Sequence, residues 1–279
     1  MASHSNLESS PVAVGVAGAG GRMGRMLIEA ILHDQNARLS AAFEQPDSML
    51  IGQNAHDLAA TTPNDLPPLP LDSDLAGGLT VCDCLIDFTR PAGTLTHLRH
   101  CLDAGVSMVI GTTGFSQAEK EIIENASRHI AIVFAPNMAV GVNVMFNLLN
   151  FAAQKLAGYD VEIVEAHHRL KVDAPSGTAL KMGEVIAAAQ QRQLEDSAIY
   201  CRHGHTGERG SDTIGFATVR GGDIVGDHSA LFCGIGERIE ITHKASNRMP
   251  YAQGALRAAC FLQGKTTGLY DMQDVLGLQ

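Results

Sequence analysis

The groups most able to do chemistry in this chain are gathered in Glu165-Ala166-His167-His168-Arg169-Leu170-Lys171-Val172-Asp173-Ala174-Pro175-Ser176-Gly177-Thr178-Ala179. His167, His168 and Lys171 can supply protons or positive charge. The Pro-Ser-Gly-Thr that follows has the form of a helix opening, where unpaired backbone N–H groups attract an anion. Such a segment can hold a carboxylate and protonate an atom beside it. A surface loop with incidental histidines is the alternative; two adjacent rings and Lys171 on one short stretch weigh against it. Asp173 either orients Lys171 or caps the helix. His203-Gly204-His205 has no third ligand nearby in its Gly-rich stretch, which favours a loop over a metal site. His243 and Lys244 close a strand before Ser246-Asn247-Arg248, within reach of a substrate or at a domain junction.

These groups need a strand to deliver them and a helix to receive the anion. Val161 to Ala166 reads as the strand, running into the histidines, and Thr178 to Gln190 as the helix. A long apolar helix, Val140 to Leu156, precedes both. Thr213 to Arg220, Ile224 to Phe232 and Arg238 to Thr242 read as consecutive strands, with Gly221-Gly222 as a two-residue hairpin turn between the first two. Residues 140–247 are therefore expected to form an α+β domain with a mixed, largely antiparallel sheet.

The rest of the chain has a different rhythm. Val12 to Ala17 is an apolar run entering glycines, Met23, Leu27, Ala30 and Ile31 recur at helical spacing, and Leu39 to Phe43 is the next strand, ending at Glu44. This is a βαβ unit whose first turn lets backbone approach a pyrophosphate. Gly18 and Gly20 meet the Gly-x-Gly-x-x-Gly template but Met23 takes its third position; the glycines fit Gly18-x-x-Gly21-x-x-Gly24 instead. No Gly-Lys-Ser/Thr ends the run, which disfavours a Walker loop. Glu44 lies where an acceptor for ribose hydroxyls belongs, so Gly18, Ala19, Gly20, Gly21, Arg22, Met23 and Glu44 are candidate dinucleotide contacts.

Further α/β units follow. Leu85 to Phe88 and Val106 to Ile110 read as buried strands around a helix from Gly93 to Ala104. Ser116-Gln117-Ala118-Glu119 is a capping box opening a helix to Arg128, and Ile130 to Ala135 is another strand. The alternation predicts a Rossmann-type, doubly wound parallel sheet, with ligands beyond the C-terminal strand ends. Gly111, Thr112 and Thr113, and Ala135, Pro136, Asn137 and Met138, fall at such ends and join the cofactor set. Asp87 and Arg90 either line that crevice or fix a turn. The fold class is thus α/β, with residues 1–139 and 248–279 as the dinucleotide-binding domain.

The 279 residues carry 20 Lys plus Arg against 30 Asp plus Glu, a net charge of -10, which argues against a nucleic-acid groove or an anionic membrane surface. An anionic substrate then needs a locally basic pocket, which His167 to Lys171 offers. No run approaches the ~20 apolar residues of a spanning helix, and Met1 to Asn6 lacks a secretory pattern; it reads as a disordered tail on a cytoplasmic protein. Six cysteines without a Cys-x-x-Cys pair read mostly as buried thiols, Cys82 and Cys84 as packing on a strand.

The His167-to-Ala179 segment resembles the signature of the dihydrodipicolinate reductase (4-hydroxy-tetrahydrodipicolinate reductase) family. Val16 to Gly24, Asp87-Phe88-Thr89-Arg90-Pro91, Gly111-Thr112-Thr113-Gly114 and Gly141-Val142-Asn143 resemble its other motifs in the same order. Only the first ten residues and the Pro-rich stretch from Pro63 to Pro70 fall outside. The resemblance implies hydride transfer from NADH or NADPH to a cyclic imine dicarboxylate in lysine and diaminopimelate biosynthesis, leaving an enamine to be protonated. It implies His167 and Lys171 as proton donors, and His168, Lys171, Ser176, Gly177 and Thr178 as substrate-carboxylate contacts, with no metal. It also implies a homotetramer built through the second-domain sheets, and Tyr251 to Leu262 packed back on the nucleotide domain.

Some members of that family place arginine after the ribose-binding acid, where it can pair with a 2′-phosphate; this chain has Gln45, and an amide cannot replace a guanidinium fork. Glu44 favours the free hydroxyls of NADH while Arg22 can reach a 2′-phosphate, so both cofactors are expected to work. Two other functions compete: another two-domain NAD(P)-dependent reductase of a small carboxylate, and a non-catalytic NAD(H)-sensing module. The first, as an acylating dehydrogenase, needs an activated cysteine; the second has no use for a proton donor beside a carboxylate site.

Overall fold

The computed structural model describes residues 10–63 and 66–278. The tail Met1 to Asn6 lies outside these residues, as does part of the Pro-rich stretch. The chain divides into two compact units, one running to Ala139 and resuming at Tyr251–Gly277, the other Val140–Pro250.

The first unit opens with β1 (Val12–Ala17), α1 (Arg22–Leu32) and β2 (Ala37–Phe43). Every residue of β1 is buried, as a central parallel strand covered on both faces requires. A short 3-10 turn at Ala55–Leu58 and α2 (Leu75–Leu79) lead to β3 (Cys84–Asp87), α3 (Pro91–Ala104), β4 (Ser107–Ile110), α4 (Gln117–Ala126) and β5 (Ala131–Phe134). The reciprocal Ser116–Glu119 capping box of α4 is a local signal read directly from sequence, whereas α3 begins at Pro91, two residues before the expected Gly93. Phe43, Leu85, Leu98, Met108, Ile110, Ile123 and Ile132 belong to the core between sheet and helices.

The second unit runs α5 (Val140–Lys155), β6 (Asp160–His167), α6 (Gly177–Ala189), α7 (Leu194–Ser197), β7 (Ala198–Ile199), β8 (Ile214–Arg220), β9 (Gly226–Cys233) and β10 (Arg238–Ala245). Its five strands lie in the order β10-β9-β6-β8-β7. The β10–β9 and β9–β6 ladders are antiparallel, β6–β8 and β8–β7 parallel. The expected Gly221-Gly222 hairpin is therefore corrected: β8 and β9 flank β6 instead of pairing with each other. The glycines instead cross the end of β6, where Gly221 N–H donates to the His167 carbonyl at 3.0 Å and Arg169 N–H to the Gly222 carbonyl at 3.2 Å. The turn chemistry was compatible with a hairpin, but the apolar alternation of β6 claimed the central place.

The chain then returns to the first unit through α8 (Met249–Leu262), β11 (Gly268–Tyr270) and α9 (Met272–Leu276). A side chain at Gly254 would fall 1.8 Å from the Met138 carbonyl, so glycine permits the close approach of α8 to that segment. β11 completes a parallel six-stranded sheet in the order β11-β5-β4-β3-β1-β2. Among the described residues no helix is long and apolar enough to cross a membrane. Of the six cysteines only Cys84 and Cys101 are buried, correcting the expectation that most would be; Cys82, Cys233 and Cys260 are partly covered and Cys201 is exposed.

Candidate active site

In the first unit, the loop after β1 is shaped by close backbone packing. Gly18 takes φ +67°, and a side chain at Gly24 would meet the Gly18 carbonyl at 2.3 Å and that of Ala19 at 2.6 Å. Gly24 thus lets the helix sit tight against the loop that leaves β1, and the spacing Gly18-x-x-Gly21-x-x-Gly24 follows from that contact. At the start of α1, Gly21 gives no side-chain cap and the first turn has no acidic residue. Glu44, at the end of β2, accepts from Gly20 N–H at 2.7 Å, while Gln45 and Arg22 are exposed. The uncapped helix start, the glycine cradle and the acid beside it fit a dinucleotide.

The loops after β3 and β4 meet at a buried carboxylate. Asp87, the last residue of β3, is fully buried, and its Oδ1 accepts from Thr89 N–H at 2.7 Å and from the hydroxyls of Thr89, Thr94 and Thr112 at 2.8, 3.1 and 3.1 Å. His97 Nδ1 lies 2.5 Å from its Oδ2. Burial opposes ionisation, but His97 and the Thr89 hydrogen bonds outweigh it and hold the carboxyl below its ordinary range. Asp87 therefore fixes the turn from within, and Thr112 points to it while Thr113 is exposed. Gly111 packs against the Phe88 ring, and Asn137 Oδ1 accepts from Ala139 N–H at 2.9 Å. Ala135 and Met138 are buried and Pro136 is exposed.

In the second unit, β6 alternates so that Val161, Ile163, Glu165 and His167 are the buried positions. The buried register thus continues from apolar residues into a charged pair at the strand's end. Glu165, 1 % exposed, accepts two hydrogen bonds from Arg220, each 2.8 Å, one from Ser176 N–H at 3.0 Å, and lies 2.6 Å from His167 Nδ1. Burial would raise its carboxyl; Arg220 and His167 reverse this and hold it at about 2. Burial lowers the His167 ring, with Lys171 and Arg220 adding to the effect and Glu165 opposing it. His228, cross-strand from Glu165, stands edge-on to His167 at 5.0 Å and is lowered to about 4, chiefly by burial.

Lys171 pairs with Asp173 at 2.8 Å, so the orienting role of that acid, left open by the sequence, has a contact behind it. Ser176 is the N-cap of α6: its Oγ accepts from Ala179 N–H at 3.2 Å and lies 2.9 Å from His228 Nε2. Its hydroxyl and amide are both engaged in the frame, while Gly177 is exposed at the helix start. His168 is half-buried just past β6, with its Nδ1 unpartnered. His203 and His205 lie in an exposed loop, and His243 packs against Gly141. Sequence reasoning missed Glu165, Arg220 and His228 as members of the site. The available signal was Glu165 at a buried register position of an alternating strand, where a charge needs a partner. Three of the cysteines are poor nucleophiles: burial raises Cys82 to about 11 and also pushes up Cys84 and Cys101.

A glycine-looped, doubly wound unit and a second unit bearing a lysine, a histidine and a helix start define an α/β oxidoreductase of the dinucleotide-binding class. Residues 12–138 match the family model "Dihydrodipicolinate reductase, N-terminus" and residues 141–276 "Dihydrodipicolinate reductase, C-terminus". The chain belongs to the dihydrodipicolinate reductase family. It is 64 % identical to the 4-hydroxy-tetrahydrodipicolinate reductase of Nitrosomonas eutropha, over 95 % of this chain and 98 % of that one. It is 63 % identical to the enzyme of the same name from Dechloromonas aromatica, over 97 % and 100 %. Among solved structures, a dipicolinate-bound dihydrodipicolinate reductase from Paenisporosarcina sp. TG-14 superposes with a TM-score of 0.70 at 25 % identity, over 95 % of this chain and 98 % of that one.

Proposed function

We propose that this chain catalyses NAD(P)H-dependent reduction of 4-hydroxy-tetrahydrodipicolinate to tetrahydrodipicolinate, a step of lysine and diaminopimelate biosynthesis. The observation that carries the reading is that Glu165 contacts both His167 and the amide at the start of α6 while Asp173 pairs with Lys171, in a chain of this family. When bound, the reduced nicotinamide supplies a hydride. Gly18, Ala19, Gly20, Gly21, Arg22 and Met23 would hold its pyrophosphate and Glu44 its ribose hydroxyls, with Gly111, Thr112, Thr113 and Ala135 to Met138 as further contacts. Lys171 and His168 supply positive charge to a substrate carboxylate, and the backbone at Gly177 and Thr178 supplies donors at the helix start. Ser176 acts by holding that helix start in place. Lys171 holds a proton at Nζ for the reduced carbon skeleton, which must gain one, and His167 presents Nε2 to the same site. A cytoplasmic homotetramer joined through the second-unit sheet completes the reading; Val219 and Ile239, apolar and exposed on that sheet, are surface such an assembly would cover.

The test is oxidation of NADH and NADPH, followed by nicotinamide absorbance, on adding fresh dihydrodipicolinate synthase product. Both cofactors should be consumed, and Lys171→Ala should lower kcat by about 10²- to 10⁴-fold with cofactor affinity kept. A folded protein that binds either cofactor and oxidises neither would overturn the substrate assignment and restore the sensing module.

A further inference from the structure

We propose that Glu165 and Arg220 form a positioning pair at the site, fixing His167 in the tautomer with its proton on Nδ1, so that its Nε2 accepts and Lys171 is the group that donates. The proposal rests on the function above but is read from geometry that needs no substrate. Every neighbour of the Glu165 carboxylate donates to it: both Arg220 nitrogens at 2.8 Å, Ser176 N–H at 3.0 Å and the Thr218 hydroxyl at 3.4 Å. An ionised carboxylate only accepts, so His167 Nδ1, 2.6 Å away, is the ring nitrogen that carries hydrogen. His167 Nε2 lies 3.1 Å from where a side chain on Gly226 would begin, so glycine there leaves that nitrogen uncovered.

Arg220 gives the pair its second function. A lone carboxylate against a histidine favours imidazolium, whereas a carboxylate already neutralised by a bidentate guanidinium orients the ring while adding little charge. The ring is faced by Glu165 on β6, Arg220 on β8, His228 on β9 and Lys171 on the following loop; the two cations oppose its protonation and Glu165 alone among them favours it. Arg220 Nη2 also donates to the Asp173 carbonyl at 2.6 Å, and the Asp173 carboxylate holds Lys171 at 2.8 Å. One guanidinium thus braces His167 through Glu165 and Lys171 through Asp173.

The decisive measurement is ¹⁵N NMR of the histidine rings in the full-length protein, with His167 assigned by its loss in His167→Gln, alongside steady-state turnover. The unsubstituted protein should show the His167 proton on Nδ1; a proton on Nε2 overturns the proposal whether or not any variant folds. Glu165→Gln should lower kcat at least about tenfold, part of the 10²- to 10⁴-fold that a positioned acid or base contributes, with KM for NADH unchanged. The His167 titration should move down in Glu165→Gln and up in Arg220→Gln, because the first leaves a lone cation near the ring and the second a lone anion. Arg220→Lys, which keeps charge but loses the fork, should lie between Arg220→Gln and the parent. Folded variants that lose thermal stability yet keep kcat and an unmoved titration would mark the pair as structural and sink the idea. Absence of turnover in the parent, with the tautomer and opposed shifts as expected, would instead count against the substrate assignment.

Discussion

Each unit carries a buried carboxylate near the end of a β-strand with a histidine Nδ1 against it: Asp87 with His97 at 2.5 Å, and Glu165 with His167 at 2.6 Å. Their remaining partners differ. Asp87 is surrounded by threonine hydroxyls and an amide, and Glu165 by a bidentate arginine. The first arrangement ties three chain segments together, since Thr89, Thr94 and Thr112 lie after β3, on α3 and after β4. The second holds one ring and one helix start. Two carboxylate–histidine pairs therefore do different work: neutral donors in one make a hub for loops, and a guanidinium in the other makes an orienting anvil for a neutral imidazole.

The largest effect should come from removing the hub. Asp87→Ala takes the shared acceptor from the Thr89 and Thr112 hydroxyls, the Thr89 amide and the His97 ring, leaving Thr94 only Thr112, and should cost the first unit about 3–5 kcal/mol, read by urea denaturation, with weakened NADH binding. An Asp87→Ala protein that binds NADH with parental affinity would break the comparison, because Asp87 would then be dispensable to the loops.

Acid should act strongly on the second unit. The neutral form of His228 is favoured in the fold, about 4 against 6.5, so stability is complete above pH 6.5 and declines until about pH 4. Glu165, about 2 against 4.5, adds a second loss as pH falls from 4.5 to 2. Each shift corresponds to roughly 3 kcal/mol. Hydrogen exchange of β6 and β9 should register the upper window in the parent and lose it in His228→Asn; an unchanged profile would show that the ring is not the titrating group.

Gly24→Ala should be next, at about 1–3 kcal/mol, the usual cost of overpacking, because the added carbon meets backbone oxygens instead of a movable side chain. Its readout is the melting temperature and NADH affinity, both reduced, with the His167 titration unchanged. The smallest effect expected is Gln45→Arg, which should raise the NADPH-to-NADH ratio of kcat/KM by roughly tenfold, or about 1.4 kcal/mol. No change in that ratio would mean that Arg22 alone reads the 2′-phosphate.

Much of this molecule could be read along the chain because the deciding interactions are local. The glycines after β1, the Ser116–Glu119 box and the helix opening at Ser176 announce themselves within a few residues, as does the apolar alternation of β6. The His167-to-Thr178 stretch marked the donors and the anion-attracting backbone for the same reason. What sequence left open depended on pairings between distant residues. Gly221-Gly222 looked like a hairpin because turn residues report only the turn, whereas β6 taking the place between β8 and β9 depends on which strands bury one another's faces. β11, three residues long, has no periodicity of its own and exists as the sixth strand only because β5 offers it an edge.

The same division holds at the site. Sequence alone determined which residues could donate protons and where an anion could be received, since side-chain chemistry and helix-start spacing are properties of short segments. Only the tertiary structure decided what state those residues are held in. Arg220 is 55 positions from Glu165, and His228 is 52 from Ser176. Burial beside those partners, rather than the identity of His167, sets its protonation and the nitrogen it offers, because desolvation and charge compensation arise only when the strands have assembled.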